Sequence, residues 1–395
     1  MFTPPSFTFA KVPPIYFGPG KIAQLPTVIK QLQGHQVLLV VGQRSLQVSG
    51  QLDQIYQLFD TAELIHCTVT CQGEPTTALI DAVCQKHRDS GVDIVVAVGG
   101  GSVVDAGKAI SAMLPHRNSI LDHLEGVGRG QPHSGVKLPF IAVPTTSGTG
   151  GEVTKNAVIS QVGEAGYKKS IRHENLVPDA VIVDGNLLVG CPPGVTAACG
   201  LDAFTQLVEP YLSPTATPLT DAIAWSGLVA FQANFLSACG SGADDPHVRG
   251  GMAYASLMSG IALANAGLGI VHGLASPLGG FFPIPHGVAC GTLIGPALEQ
   301  NWRALKARMP DSVALTKLAK LGQLLSDEPH KTDDWYAQAV GEIIQTWTAM
   351  LEVPRLGAYG IEAQHLEKIL AGAKNRNNPI ELTRIEVREI LNQRL

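Results

Sequence analysis

Several times in the first half of the chain, a short run of branched apolar residues ends at glycine or a polar loop. "QVLLVVG" covers 36–42, "VDIVVAVGGGS" covers 92–102, and "LPFIAVPTTSGTGGEVT" covers 138–154. Such runs, with no polar residue in alternation, predict strands buried on both faces. Between them, "TTALIDAVCQKHRDSG" (76–91) and "VVDAGKAISAML" (103–114) carry helical periodicity, and "DAVIVDG" (179–185) supplies a further strand. Strands alternating with helices at this spacing imply a parallel sheet wrapped by helices.

The character changes near "CPPGVTAACG" (191–200). Beyond it, "PLTDAIAWSGLVAFQANFLSA" (218–238) and "VRGGMAYASLMSGIALANAGLGIVHGLA" (248–275) are apolar at helical spacing and poor in strand signals. The expected organisation is an α/β domain over 1–192 and a helical domain over 193–395. At 395 residues the chain is long enough for each to bury its own core. Ligands are expected where the carboxyl ends of the strands face the helical half.

Charge and cysteine usage remove several function classes. The net charge is −5 and the Lys and Arg residues are scattered, which leaves no basic surface for nucleic acid. The seven cysteines (67, 71, 84, 191, 199, 239 and 290) include no C-x-x-C pair, so neither a disulfide framework nor a zinc ribbon fits. The opening "MFTPPSFTFAKVPP" does not read as a secretory signal, so the expectation is a cytoplasmic protein. The least polar region, 252–299, is interrupted by Gly, Pro and two histidines, which argues against a membrane span.

Two loops carry the chemistry of the first half. "GGGSVVDAGKA" (99–109) places Gly99, Gly100, Gly101 and Ser102 between a strand and a helix start. There the backbone can approach a phosphate and the helix offers free N–H groups. The fingerprint G-x-G-x-x-G is absent, and a plain strand-to-helix turn is the alternative. "PTTSGTGGEVT" (144–154) adds the hydroxyls of Thr145, Thr146, Thr149 and Thr154. Two such loops on one sheet favour a dinucleotide over a mononucleotide.

In the second half, "GLDAFTQLVEP" sets Asp202 and Gln206 one helical turn apart. Of the twelve histidines, His272 and His286 stand out: both sit in apolar surroundings beside glycine, separated by an aromatic loop containing Phe281 and Phe282. A pair of this kind suggests ligands rather than satisfied core residues.

Together, "GGGSVVDAGKA", "PTTSGTGGEVT", "GLDAF", "GIVHGLASPLGG" and "PHGVACGTLIGPALEQN" resemble the signature blocks of the iron-containing (group III) alcohol dehydrogenases, in the family's order. The tail segment "NRNNPIELT" (375–383) resembles the family's last block. The resemblance implies a dehydroquinate synthase-like fold, with a nucleotide-binding α/β domain, an all-α metal domain and an active site between them. It also implies hydride transfer between NAD or NADP and a primary alcohol or aldehyde, and a homodimer or larger homo-oligomer. By the same carry-over, Gly99 to Ser102 hold the pyrophosphate, and Thr145, Thr146, Thr149 and Thr154 contact the diphosphate, ribose and nicotinamide. Lys168 touches the nicotinamide ribose, Asn156, Ser276 and Phe282 line the substrate pocket, and Asp202, Gln206, His272 and His286 hold the metal.

The sequence departs from this family at two positions. Gln206 and Ser276 stand where the family usually has histidine. Asp202, His272 and His286 still make three ligands, enough for a catalytic Zn²⁺ or Fe²⁺, with Gln206 as a weaker fourth. "VVGQRS" also lacks the usual aspartate after the first strand. Gly42 occupies its place and Arg44 follows, which favours NADP over NAD. Three other readings stand beside this one: a maleylacetate-reductase-like oxo-acid reductase, a catalytically weak member with a vestigial site whose Asp202 caps a helix, and a silent nucleotide-binding scaffold.

Overall fold

In the computed structural model, which describes residues 5–395, six parallel strands form one sheet in the order β1-β8-β5-β4-β2-β3. The first four residues of the expected N-terminal domain and of the opening segment lie outside the described range. The strands are β1 (Ile15–Phe17), β2 (Gln36–Gly42), β3 (Ile65–Cys71), β4 (Ile94–Gly99), β5 (Phe140–Pro144) and β8 (Ala180–Val183). Every residue of β4 and β5 is buried, as continuous apolar runs require when helices cover both faces. From β2 the chain crosses outward to β3, whereas from β4 it proceeds to β5 on the other side. The order therefore reverses between β2 and β4, whose carboxyl ends lie side by side, with Val41 opposite Val98. An open parallel sheet forms its ligand crevice at such a reversal.

The helices after residue 192 build a second core around Phe204, Phe231, Phe235 and Leu293. The stretch 248–275, apolar at helical spacing throughout, is not one continuous helix. The chain forms a helix from Pro246 to Ala266, breaks, and starts another from Ile270 to Phe281 at 101° to the first. Gly267 makes the break with φ of +72°, and a Cβ there would meet Asn377 at 2.1 Å. Apolar periodicity runs through this corner because both helices are buried, so periodicity by itself did not reveal it. Among the described residues no single helix is long and apolar enough to cross a membrane.

A second difference is an antiparallel hairpin, β6 (Asn156–Gln161) with β7 (Tyr167–Arg172), inserted after the second glycine loop. Its strands are short and mixed in polarity, with Ala157, Ile159 and Ile171 buried and the rest mostly polar. It nonetheless brings Asn156 and Lys168 to the cleft between the sheet and the helices.

Candidate active site

The helix Pro193–Leu212 presents Asp202, Gln206 and Glu209 at spacings of four and three, hence on one face. All three are buried, Asp202 to within 1% of full burial, and buried polar groups require partners. Glu209 has two: its Oε1 accepts the Val271 N–H at 2.7 Å, and its Oε2 lies 2.7 Å from His272 Nδ1. Gln206 donates its amide to the Gly148 carbonyl at 3.2 Å. Asp202 is the exception. Its Oδ1 is buried with no hydrogen-bond partner, 3.3 Å from His272 Nε2 and 3.7 Å from His286 Nε2. It also sits in the middle of its helix, so it caps nothing.

The sharp corner at Gly267 places His272 in the first turn of its helix, against Glu209. Nδ1 is committed to that carboxylate, and Nε2 faces Asp202, where it would offer its lone pair to an ion that displaced its proton. His286 opens the helix His286–Arg308 and brings its Nε2 to the same point. Burial pushes His286 down to about 4, which leaves its imidazole neutral, the form that ligates metals. One turn further along, the buried Cys290 lies 3.7 Å from His272 Nε2 and 3.8 Å from His286 Nε2. Donor atoms of Asp202, His272, His286 and Cys290 all fall within 4.8 Å of one another. An orphaned carboxylate oxygen facing two imidazole nitrogens and a sulfur is a donor set that suits a divalent ion.

This cluster borders a cavity of about 290 Å³ that spans both halves of the molecule. Gly101, Ser102, Thr149 and Thr154 line it from the glycine loops, and Asn156 and Lys168 from the hairpin. Gln206, His272, Ser276 and His286 line it from the helices. The helix Gly101–Met113 starts at this cavity with no side chain capping its first N–H groups. Gly101 must be glycine here, because a Cβ would stand 2.7 Å from Thr149, where the two loops touch.

The remaining expected site residues do not line the cavity. Gly42, Gly99 and Gly100 sit at the ends of the two crevice strands, with Arg44 exposed just beyond Gly42. Thr145 and Thr146 face the Gly99–Gly100 backbone, Thr145 donating its N–H to the Gly99 carbonyl at 2.9 Å. Phe282 packs edge-on against His365 with ring centroids 5.2 Å apart. Asp202 lies behind the two histidines.

The sequence reading missed Glu209, Cys290, Glu74 and Lys108. The first two were signalled by helical spacing: Glu209 is seven residues after Asp202, and Cys290 four after His286. Glu74 pairs with Lys168 and accepts from Ser160, which pins the hairpin lysine beside the cavity. Lys108 is fully buried and donates to the carbonyls of Gly151, Thr154 and Asn156 at 2.6–2.8 Å. It thereby fixes the second loop to the hairpin. Burial pushes Lys108 down and its neighbour Asp105 up, and takes Glu152 up to about 7.

Residues 13–185 match the family model for iron-containing alcohol dehydrogenase, and residues 196–395 match the model for the C-terminal part of the same family. The chain is 31% identical to alcohol dehydrogenase 4 of Saccharomyces cerevisiae over 390 residues, which is 98% of either chain. It is also 31% identical to long-chain-alcohol dehydrogenase 1 of Geobacillus thermodenitrificans, covering 96% of this chain and 94% of that one. The crystal structure of a 1,3-propanediol oxidoreductase superposes with a TM-score of 0.87 at 29% identity, over 99% of this chain and 100% of that one.

Proposed function

The chain belongs to the iron-containing alcohol dehydrogenase family, and on that footing we propose a metal-dependent oxidoreductase acting between NADP(H) and a primary alcohol or aldehyde. One observation carries this reading: the uncapped helix start after Gly100 and the donors of His272 and His286, which converge with Asp202, open onto one cavity. The helix start favours an anion and the donors favour a cation, so the cavity between them would suit a charged dinucleotide beside a divalent ion.

Asp202, His272 and His286 would hold a divalent Zn²⁺ or Fe²⁺, which when bound supplies Lewis-acid polarisation of the substrate oxygen. Gly101 and Ser102 present backbone N–H groups to a pyrophosphate, and Thr149 stands across from them. Lys168 and Asn156 border the same space from the hairpin, where a nicotinamide ribose and the substrate would meet. Glu209 fixes the His272 ring, and Lys108 fixes the backbone around Thr154 and Asn156. NADP is favoured because no carboxylate follows β2 while Arg44 is exposed beside its end, at the reversal of strand order. A cytoplasmic homodimer or larger assembly, with domains at 1–192 and 193–395, completes the proposal; its free cysteines suit a reducing compartment.

An oxo-acid substrate would need a cation free to meet its carboxylate. The two basic residues lining the cavity are Lys168, paired with Glu74, and Arg172, paired with Glu125 at 2.9 Å. That pairing favours the neutral alcohol or aldehyde.

The test is turnover of short and medium aldehydes with NADPH and NADH, after chelation and after adding back Zn²⁺ or Fe²⁺. Metal-restored reduction, lost in Asp202→Asn, is the expected result. No turnover under any combination would return the protein to the class of silent nucleotide binders.

A further inference from the structure

We propose that Cys290 is a ligand of the metal, making this site Asp–His–His–Cys and giving it a preference for thiophilic ions, Zn²⁺ above all. The inference rests on the metal reading given above and goes beyond it by assigning a residue and an ion.

The geometry comes first. A tetrahedral ion bound through oxygen and nitrogen at about 2.0–2.2 Å and through sulfur at about 2.3 Å spaces its donor atoms roughly 3.3–3.6 Å apart. The observed separations are 3.3 Å from Asp202 Oδ1 to His272 Nε2, 3.7 Å from Asp202 Oδ1 to His286 Nε2, and 3.7 and 3.8 Å from Cys290 Sγ to the two nitrogens. These are four of the six edges of a tetrahedron, open by a few tenths of an ångström, and the remaining two, between Asp202 and Cys290 and between the two histidines, lie within 4.8 Å.

The surroundings of the sulfur agree. Cys71 and Cys84, the other cysteines that are buried, direct their Sγ at backbone carbonyls, the ordinary partner of an interior thiol. The Sγ of Cys290 instead faces two imidazole nitrogens and no carbonyl. Asp202 supplies an independent sign of a missing cation, being a carboxylate oxygen buried and unpartnered at the same point. Charge balances as well: carboxylate and thiolate together neutralise a dication, with both histidines neutral. Binding displaces the thiol proton to solvent, as metal binding at cysteine does.

The fourth place thereby passes from Gln206 to Cys290. The Gln206 amide is neutral and already donates to the Gly148 carbonyl. A thiolate selects Zn²⁺ over harder ions, whereas an amide oxygen selects the reverse. His272 and His286 line the cavity while Asp202 and Cys290 do not, so an ion held by these four residues would be approached by substrate from the cavity side.

Cobalt(II) provides the test, because thiolate ligation adds an intense near-ultraviolet charge-transfer band to its visible ligand-field spectrum. The full-length apoprotein is loaded with one equivalent of Co²⁺, alongside Cys290→Ser. The expected result is a charge-transfer band in the wild type that is lost in the variant, with cobalt still bound. Bound cobalt without that band, or a band that survives Cys290→Ser, overturns the ligand assignment and leaves the metal reading standing. Failure of the wild type to bind Co²⁺ or Zn²⁺ at all overturns both. X-ray absorption of the zinc-loaded wild type needs no variant: one sulfur at about 2.3 Å is expected, and a shell of nitrogen and oxygen alone overturns the proposal.

Discussion

His272 and Glu209 meet at 2.7 Å, imidazole Nδ1 against a buried carboxylate Oε2, from two helices and 63 residues apart in the chain. The same carboxylate accepts the Val271 N–H, so it holds both the ring and the backbone that carries it. Orientation of a ligand histidine by a second carboxylate fixes its tautomer and raises its basicity. Glu209→Gln is therefore expected to lower Zn²⁺ affinity by about 10–100-fold while leaving the fold intact. Chelator competition monitored beside circular dichroism checks this, and an unchanged affinity would show that the carboxylate only packs the helix.

Cofactor choice is tested at the end of β2. A Cβ at Gly42 would meet Val103 at 3.7 Å and Ser45 at 3.9 Å, ordinary contact distances, so aspartate fits there without rebuilding the turn. Gly42→Asp should repel a 2′-phosphate and move preference toward NADH, and Arg44→Ala should remove a charged partner. Each is expected to reduce kcat/KM for NADPH by about 10–100-fold, the worth of a hydrogen bond to a charged group. Equal losses with NADH and NADPH would refute the role of this corner.

Lys108 has four acceptors and no access to solvent: three carbonyls and the Thr154 hydroxyl at 3.1 Å. Lys108→Met keeps the shape of the stem and removes the cation, stranding those oxygens and the nearby acids Asp105 and Glu152. Stability should fall by about 3–5 kcal/mol, as when one partner of a buried charged network is deleted. Urea denaturation measures it; a loss under about 1 kcal/mol would mean the network relaxes or takes in water.

A separate histidine cluster sets a pH limit. His133 is buried beside His116, His123 and His173, with ring centroids 4.8, 5.4 and 6.1 Å away. Its Nε2 donates to the Ala112 carbonyl at 3.1 Å, while its Nδ1 accepts the Gly135 N–H at 3.0 Å, which requires a neutral ring. Burial pushes it down to about 4. The unfolded chain, with an ordinary imidazole, takes up this proton near pH 6.5 and the folded chain does not. Stability from this residue is thus complete above pH 6.5 and falls as the pH drops toward 4, by on the order of 2–3 kcal/mol. Urea midpoints at pH 7 and 5 should differ less in His133→Asn than in the wild type, and parallel shifts would refute the assignment.

The parallel sheet was legible in the sequence because each central strand is buried on both faces, and only continuous branched apolar runs satisfy that. β2 begins and ends where its sequence run does. The glycine loops were equally plain, and the structure gives the reason at Gly101, where a Cβ would stand 2.7 Å from Thr149. Asp202, His272 and His286 could be named in advance as a carboxylate and two histidines in apolar surroundings. That they converge could not be read from the sequence, because their meeting depends on the 101° corner at Gly267, across which periodicity is unbroken. Glu209 and Cys290 looked like an ordinary polar helix residue and one cysteine among seven until three helices set the first behind His272 and the second beside both histidines. Local spacing determines which face of a helix a side chain takes. Only packing between helices distant in the chain decides what that face meets, and in this protein the proposed metal chemistry depends on that meeting.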